Sequence, residues 1–200
     1  METILKTGYW KILSLFYKDK SVRLHLREIA RRAGLNENSV TRFLKELEDS
    51  KILKSEKEGN LKKYFVVKSA KVYTIFQIMD LEKFEKLLSL RKRSIDYFLF
   101  KLSEQPVIVL LFGSTARETS SKDSDIDLLL IVNKKIETKE AEKYSESQTG
   151  IRISTFQITY EVFLKELKLK EDHVIQSALD TGYPIMNHLK FYQTINNGNE

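Results

Sequence analysis

Two apolar runs joined by a short polar link constrain this chain more than any other feature. Val107–Val132 reads VIVLLFGSTARETSSKDSDIDLLLIV. The first run ends at Gly113-Ser114, and after ten further residues Asp125 and Asp127 open the second. A residue period of two puts both carboxylates on one face of a strand. The link from Ser114 to Asp125 is barely long enough for a parallel crossover, which takes a dozen or more residues. The strands are therefore expected to pair antiparallel, with the end of the first beside the start of the second. Gly113 leaves the bend open to a phosphate. Ser114 adds a hydroxyl and an amide, and a short helix starting there would attract anions at its N-terminus. Two adjacent carboxylates at the edge of an apolar sheet repel each other and favour a cation between them. Mg²⁺, a hard ion that shares oxygen ligands with phosphates, meets that need.

The pattern GS, ten residues, DxD between two apolar strands resembles the signature of the DNA polymerase β-like nucleotidyltransferase superfamily, and most closely its minimal nucleotidyltransferase branch. The resemblance covers roughly residues 105–192. It implies that Asp125 and Asp127 are catalytic and hold divalent ions, Mg²⁺ or Mn²⁺. It also implies that Gly113 and Ser114 bind the phosphates of a nucleoside triphosphate, with Arg117 contacting phosphate. The family supplies a third carboxylate from a later strand. Here the next strand candidate, Ile151–Thr159, contains no Asp or Glu, and the position facing the site falls to Ser154, Thr155 or Gln157. Glu161, at the start of the following helical pattern, is the nearest acid in sequence. The implied reaction passes a nucleoside monophosphate to a protein or small-molecule hydroxyl. The alternative is a catalytically weak or inactive transcriptional regulator whose C-terminal domain senses nucleotide or binds a partner, as an antitoxin binds a toxin.

The charge is uneven. Residues 1–68 hold sixteen Lys/Arg against nine Asp/Glu, or +7, whereas the whole chain carries +6. The basic excess thus belongs to the N-terminal third, as expected for a polyanion-binding module joined to a nearly neutral one. Glu2–Tyr17 has a helix-compatible apolar pattern. Leu26–Ala33 reads as a second helix stopped by Gly34, and Asn36 caps a third over Glu37–Asp49. Ile52–Lys57 and Leu61–Val67 flank a glycine turn and read as a hairpin. This order resembles a winged helix-turn-helix of the kind found in prokaryotic regulators. The resemblance places the third helix in the major groove of DNA, with Asn38, Ser39 and Arg42 in contact with it. Arg31, Arg32, Lys45 and the hairpin lysines Lys54, Lys57, Lys62 and Lys63 would mainly neutralise phosphates.

Lys71–Glu104 has no Pro or Gly and carries an apolar stripe, so one long or two consecutive amphipathic helices are expected. Its Arg91-Lys92-Arg93 cluster reads as a solvated face. Helices are also expected over Ile136–Gln148, Tyr160–Leu169 and His173–Asp180, the last ended by Gly182 and Pro184. The three histidines lie in unrelated segments without metal-ligand spacing. No cysteine is present, which excludes disulfides, thiolate metal sites and thiol nucleophiles. No apolar run reaches the ~20 residues of a membrane span, and a soluble, cytoplasmic protein is expected. The fold class read from these signals is α+β: a winged helix-turn-helix (1–68), a helical connector (69–104), a small mixed or antiparallel sheet with flanking helices in a nucleotidyltransferase fold (105–192), and a tail (193–200). Partners expected are DNA, a nucleoside triphosphate, a protein acceptor or toxin, and a second copy in a homodimer.

Overall fold

The N-terminal third folds around capping groups that its own sequence supplies. Helix α1 (Gly8–Lys18) buries Ile12, Leu13 and Phe16. A two-residue strand, β1 (Leu24–His25), leads into α2 (Leu26–Ala33), where the His25 side chain accepts the Glu28 amide at 3.3 Å. Gly34 ends α2 in the left-handed region, with φ +62°, a conformation that costs a glycine nothing. Asn36 Oδ1 then accepts the Ser39 amide at 2.8 Å and starts α3 (Glu37–Asp49), whose buried stripe is Val40, Leu44 and Leu47. Strands β2 (Leu53–Glu58) and β3 (Leu61–Val66) form a hairpin, and β1 pairs with the far side of β3. The resulting sheet has the order β1-β3-β2.

The computed structural model describes residues 8–197; the beginning of the first expected helix, Glu2–Thr7, and the last three residues lie outside them. The chain divides into two compact units, Met1–Met79 and Asp80–Glu200. Helix α4 (Ala70–Glu85) contains that division, and α5 (Ser89–Lys101) lies wholly in the second unit. The connector segment is therefore two helices. Among the described residues, no helix is long and apolar enough to cross a membrane.

The second unit is built on β4 (Ile108–Phe112), the short helix α6 (Gly113–Ala116), β5 (Ile126–Val132), α7 (Lys139–Thr149), β6 (Ile153–Thr159), α8 (Tyr160–Leu169), α9 (His173–Thr181), β7 (Tyr183–Met186) and α10 (His188–Asn197). Its sheet has the order β6-β5-β4-β7. The β4/β5 pair is antiparallel, β5/β6 parallel and β4/β7 antiparallel. The class is α+β, with a mixed sheet.

Alternation along the strands divides the sheet into two faces. Val109 and Leu111 of β4 and Ile126, Leu128, Leu130 and Val132 of β5 join one buried cluster with Ile95 and Phe98 of α5 and Ala141 of α7. The opposite face carries Asp127, Leu129 and Ile131 on β5, and α8, α9 and α10 pack against the strands. Every residue of β5 except Asp127 is buried. The sequence places one carboxylate in an otherwise apolar strand, at the end where the strand begins.

Two elements differ from the sequence reading. Gly182 caps the end of α9, as expected, but Pro184 lies within a strand the sequence did not suggest: β7 runs through it, paired with β4 at the sheet edge. An edge strand tolerates a residue without an N–H. Helix α10 then runs to Asn197, across the expected start of a tail at residue 193.

Candidate functional site

The site begins where β4 ends. Phe112 stands opposite Asp127 in the antiparallel register, so the next residue, Gly113, turns beneath the first carboxylate of β5. Gly113 has φ +69°. A Cβ built on it would overlap Oδ2 of Asp127 and lie 2.9 Å from its Cγ. Both the backbone angle and the neighbouring carboxylate therefore demand glycine. Ser114 follows, half-buried, and its carbonyl accepts the Thr119 amide at 3.0 Å, closing the α6 turn. Arg117 is exposed.

Electrostatics tie these parts together. Burial pushes the Asp127 carboxyl above its ordinary range, the Asp125 charge pushes it further, and Arg117 pulls it back. Gly113, Ser114, Arg117, Asp125 and Asp127 thus gather where β4 ends and β5 begins, at one end of the two central strands.

The parallel register of β6 identifies what faces the two acids. Asp127 pairs with Ser154, and Ile126 with Ile153. Parallel partners share a face, so the exposed Ser154 stands beside Asp127. Of the three residues named for this position, Thr155 and Gln157 are engaged elsewhere. Thr155 Oγ1 donates to Glu142 of α7 at 2.6 Å, and Gln157 bonds both backbone groups of Ile136. Glu161 is at the wrong end of the sheet. It follows β6, roughly 17 Å of strand beyond Ser154 at ~3.3 Å per residue, and it pairs with Lys165 at 2.8 Å. One residue before β6, Arg152 directs its Nε to Oδ2 of Asp125 at 3.9 Å; the two side chains are 72% and 41% exposed.

A buried guanidinium braces the link between α6 and β5. Arg91 of α5 is only 3% exposed. It donates to Thr115 Oγ1 at 3.0 Å and to the carbonyls of Ser121 and Ser124 at 2.8 and 2.9 Å. The expectation of a solvated Arg91 is thereby corrected. Arg91 falls one and two turns before Ile95 and Phe98, on the buried stripe of α5, and that spacing is the available signal.

The chemistry of the donor set suits a single hard cation. Two carboxylates on one face supply the protein oxygens that Mg²⁺ commonly takes, the remainder coming from water and phosphate. Among the described residues, no three His, Cys, Asp or Glu side chains group to hold a metal. The site offers a two-carboxylate arrangement.

Residues 97–190 match the Polymerase beta, Nucleotidyltransferase family. This domain is nucleotidyltransferase-like. No curated protein matches the chain. Among solved structures, the chain resembles that of TrmBL2, an archaeal chromatin protein with a novel mode of DNA binding, at 16% identity over 88% of this chain and 70% of that one. The TM-score of 0.29 carries no structural argument.

In the first unit, Asn38, Arg42 and Lys45 are exposed along α3, and Ser39 is half-buried at its first turn. Arg31 and Arg32 occupy the last turn of α2. Lys54 and Lys57 lie on β2, Lys62 and Lys63 on β3. Several of these charges are already partnered. Lys62 meets Glu48 at 2.9 Å, Lys63 meets Glu58 at 2.8 Å and Arg32 meets Glu28 at 2.5 Å. Although burial opposes it, bonds from Ser55 and Lys62 hold the Glu48 carboxyl below its ordinary range. Arg23 likewise takes Glu56 at 2.6 Å. The hairpin acids are thus neutralised within the unit. Arg31, Arg42, Lys45, Lys54 and Lys57 make no ion pair among the described residues.

Proposed function

We propose that the second unit binds a magnesium–nucleoside triphosphate at the Gly113–Asp127 corner and transfers the nucleoside monophosphate to an acceptor. The observation that carries this reading is the Asp127 carboxylate standing over Gly113, with Asp125 and Arg117 close enough to move its ionisation. Ser114 would hold phosphate through its hydroxyl and amide, and Arg117 would take a phosphate oxygen. Asp125 and Asp127 would hold the ion, Mg²⁺ or Mn²⁺. When bound, that ion neutralises charge on the triphosphate and the departing pyrophosphate. The residues' own contribution is alignment of the α-phosphorus for in-line attack and preorganised charge. Incubation with Mg²⁺ and α-labelled ATP, CTP, GTP or UTP tests the reading. Label transfer that vanishes in Asp125→Ala/Asp127→Ala supports it; equal transfer by that variant refutes it.

Ser154 favours a second reading. With a hydroxyl where a further acid would stand, the domain could bind nucleotide without turnover and act as a sensor or partner-binding module of a transcriptional regulator. Nucleotide binding with no transfer to any acceptor distinguishes this reading from the first.

For the first unit we propose duplex DNA binding in the manner of a winged helix-turn-helix. Asn38, Ser39 and Arg42 on α3 would enter the major groove, and Arg31, Lys45, Lys54 and Lys57 would meet phosphates. Arg32, Lys62 and Lys63 would contribute less, because each already neutralises a carboxylate. Steep weakening of binding with salt is the expected signature.

A further inference from the structure

Each of the two acids has a guanidinium near enough to act on it. Arg117 lies on the α6 side, where it acts on Asp127, and Arg152 lies on the β6 side, 3.9 Å from Asp125. The backbone of Arg152 is fixed, since its carbonyl accepts the Ile126 amide at 2.9 Å. Ser154, two residues on, shares the face of Asp127 through the β5/β6 register. Only one of the two sides adjoins the Gly113-Ser114 turn. With a triphosphate on that turn, as the nucleotidyl-transfer reading has it, an attacking group would come from the β6 side.

The cation an incoming anion would meet on that side is Arg152, 72% exposed and 3.9 Å from Asp125. A hydroxyl nucleophile must lose a proton as it bonds to phosphorus, and a positioned base normally takes it. On the β6 side the flanking groups are a cation, Arg152, and a neutral hydroxyl, Ser154. Glu161 is at the far end of the strand, paired with Lys165, and Glu142 is engaged by Thr155. A phosphate or carboxylate acceptor is already ionised and needs no base. A guanidinium is the side chain best matched to such oxyanions, which it can grip with two parallel hydrogen bonds.

We infer that the acceptor of this site is an oxyanion, a phosphate group rather than a hydroxyl, held by Arg152 and Ser154. This inference rests on the nucleotidyl-transfer reading of the same site. In the step, an acceptor oxygen forms a bond to the α-phosphorus and the bond from that phosphorus to the bridging oxygen breaks. Pyrophosphate leaves with the bonding electron pair, and no proton is abstracted from the acceptor. The product is a phosphoanhydride: inorganic phosphate and ATP would give ADP and pyrophosphate.

Radiolabelled inorganic phosphate is the probe, given to the full chain with Mg²⁺ and unlabelled ATP. Labelled ADP arises only if phosphate attacks the α-phosphorus. The expected result is labelled ADP, with no transfer from α-labelled ATP to glycerol. Arg152→Gln should raise the KM for phosphate by roughly 10- to 100-fold, the scale set by removing one charge-assisted hydrogen bond. The same variant should weaken phosphate-dependent broadening of the ³¹P NMR signal without ATP, a readout independent of turnover. Transfer to glycerol but not to phosphate overturns the inference and leaves the nucleotidyl-transfer reading standing. Mg–ATP binding without transfer to either overturns it too. Failure to bind Mg–ATP at all removes the reading beneath it. An unchanged phosphate KM in Arg152→Gln removes Arg152 from the site.

Discussion

The carboxylate of Asp127 occupies the space that a side chain on Gly113 would need. Oδ2 would be overlapped, and Cγ would lie 2.9 Å from the added carbon. The bend and the acid are thus one device. The glycine permits the carboxylate to stand over the turn, and the antiparallel register, with Phe112 opposite Asp127, brings them together.

Gly113→Ala should therefore damage the site more than the fold. The left-handed backbone at φ +69° costs an alanine about 1–2 kcal/mol, visible as a drop of a few degrees in Tm. Displacement of the Asp127 carboxylate should weaken Mg–ATP binding at least about tenfold, because a charge-assisted interaction is removed. Calorimetric titration beside a thermal melt separates the two effects; full-strength nucleotide binding in a folded Gly113→Ala variant contradicts the account.

Arg91 should behave as a brace of the Arg117–Ser124 link. Its three hydrogen bonds end on Thr115, Ser121 and Ser124, and Arg91→Met leaves two carbonyls without a charged donor. The expected cost is roughly 2–4 kcal/mol, read from urea unfolding, together with faster amide exchange around residue 121. An unchanged exchange rate there would dispose of the bracing role.

Gly113 and Arg91 show what is legible in the sequence and what is not. Gly113 and Asp127 can be paired from spacing, because a link that short between two apolar strands leaves almost only the antiparallel arrangement. Helices α2 and α3 begin and end as read, because Gly34 and Asn36 announce their own capping geometry. Arg91 misleads because basic residues in a helical segment suggest solvent, whereas its spacing to Ile95 and Phe98 places it on the buried stripe. Arg152 is illegible for another reason: its position beside Asp125 is set by the β5/β6 register, which depends on how α7 returns the chain. Strand β7 is concealed by Pro184, which reads as a terminator although the sheet edge accepts it.

Stability should depend on His188. Burial lowers its pKa below the ordinary 6.5, so the folded chain holds the imidazole neutral while the unfolded chain protonates it. The unfolded state then binds more protons between the two pKa values, and stability falls as pH drops below about 6.5. Denaturation midpoints at pH 7.5 and 5.5 should differ less in His188→Gln than in the natural chain. An identical difference in both would show that His188 does not carry the effect.

DNA binding should discriminate between free and engaged cations. Replacing Lys45 and Lys54 with alanine should lower the slope of log K against log salt by about 0.9 for each phosphate that is no longer neutralised. Lys62→Ala should change it less, because Lys62 already serves Glu48 at 2.9 Å. A larger effect from Lys62 than from Lys45 and Lys54 together would reverse the assignment of the DNA-facing surface.

The most direct measurement is the equilibrium binding of Mn²⁺–ATP, followed by electron paramagnetic resonance of the metal, in the natural chain and in Asp125→Asn/Asp127→Asn. One saturable, ATP-dependent Mn²⁺ site is expected, and it should disappear in the double variant while the melting temperature holds or rises, since the variant removes the repulsion between two adjacent acids. A natural chain that binds no Mn²⁺–ATP, or a double variant that binds it equally well, would contradict that expectation.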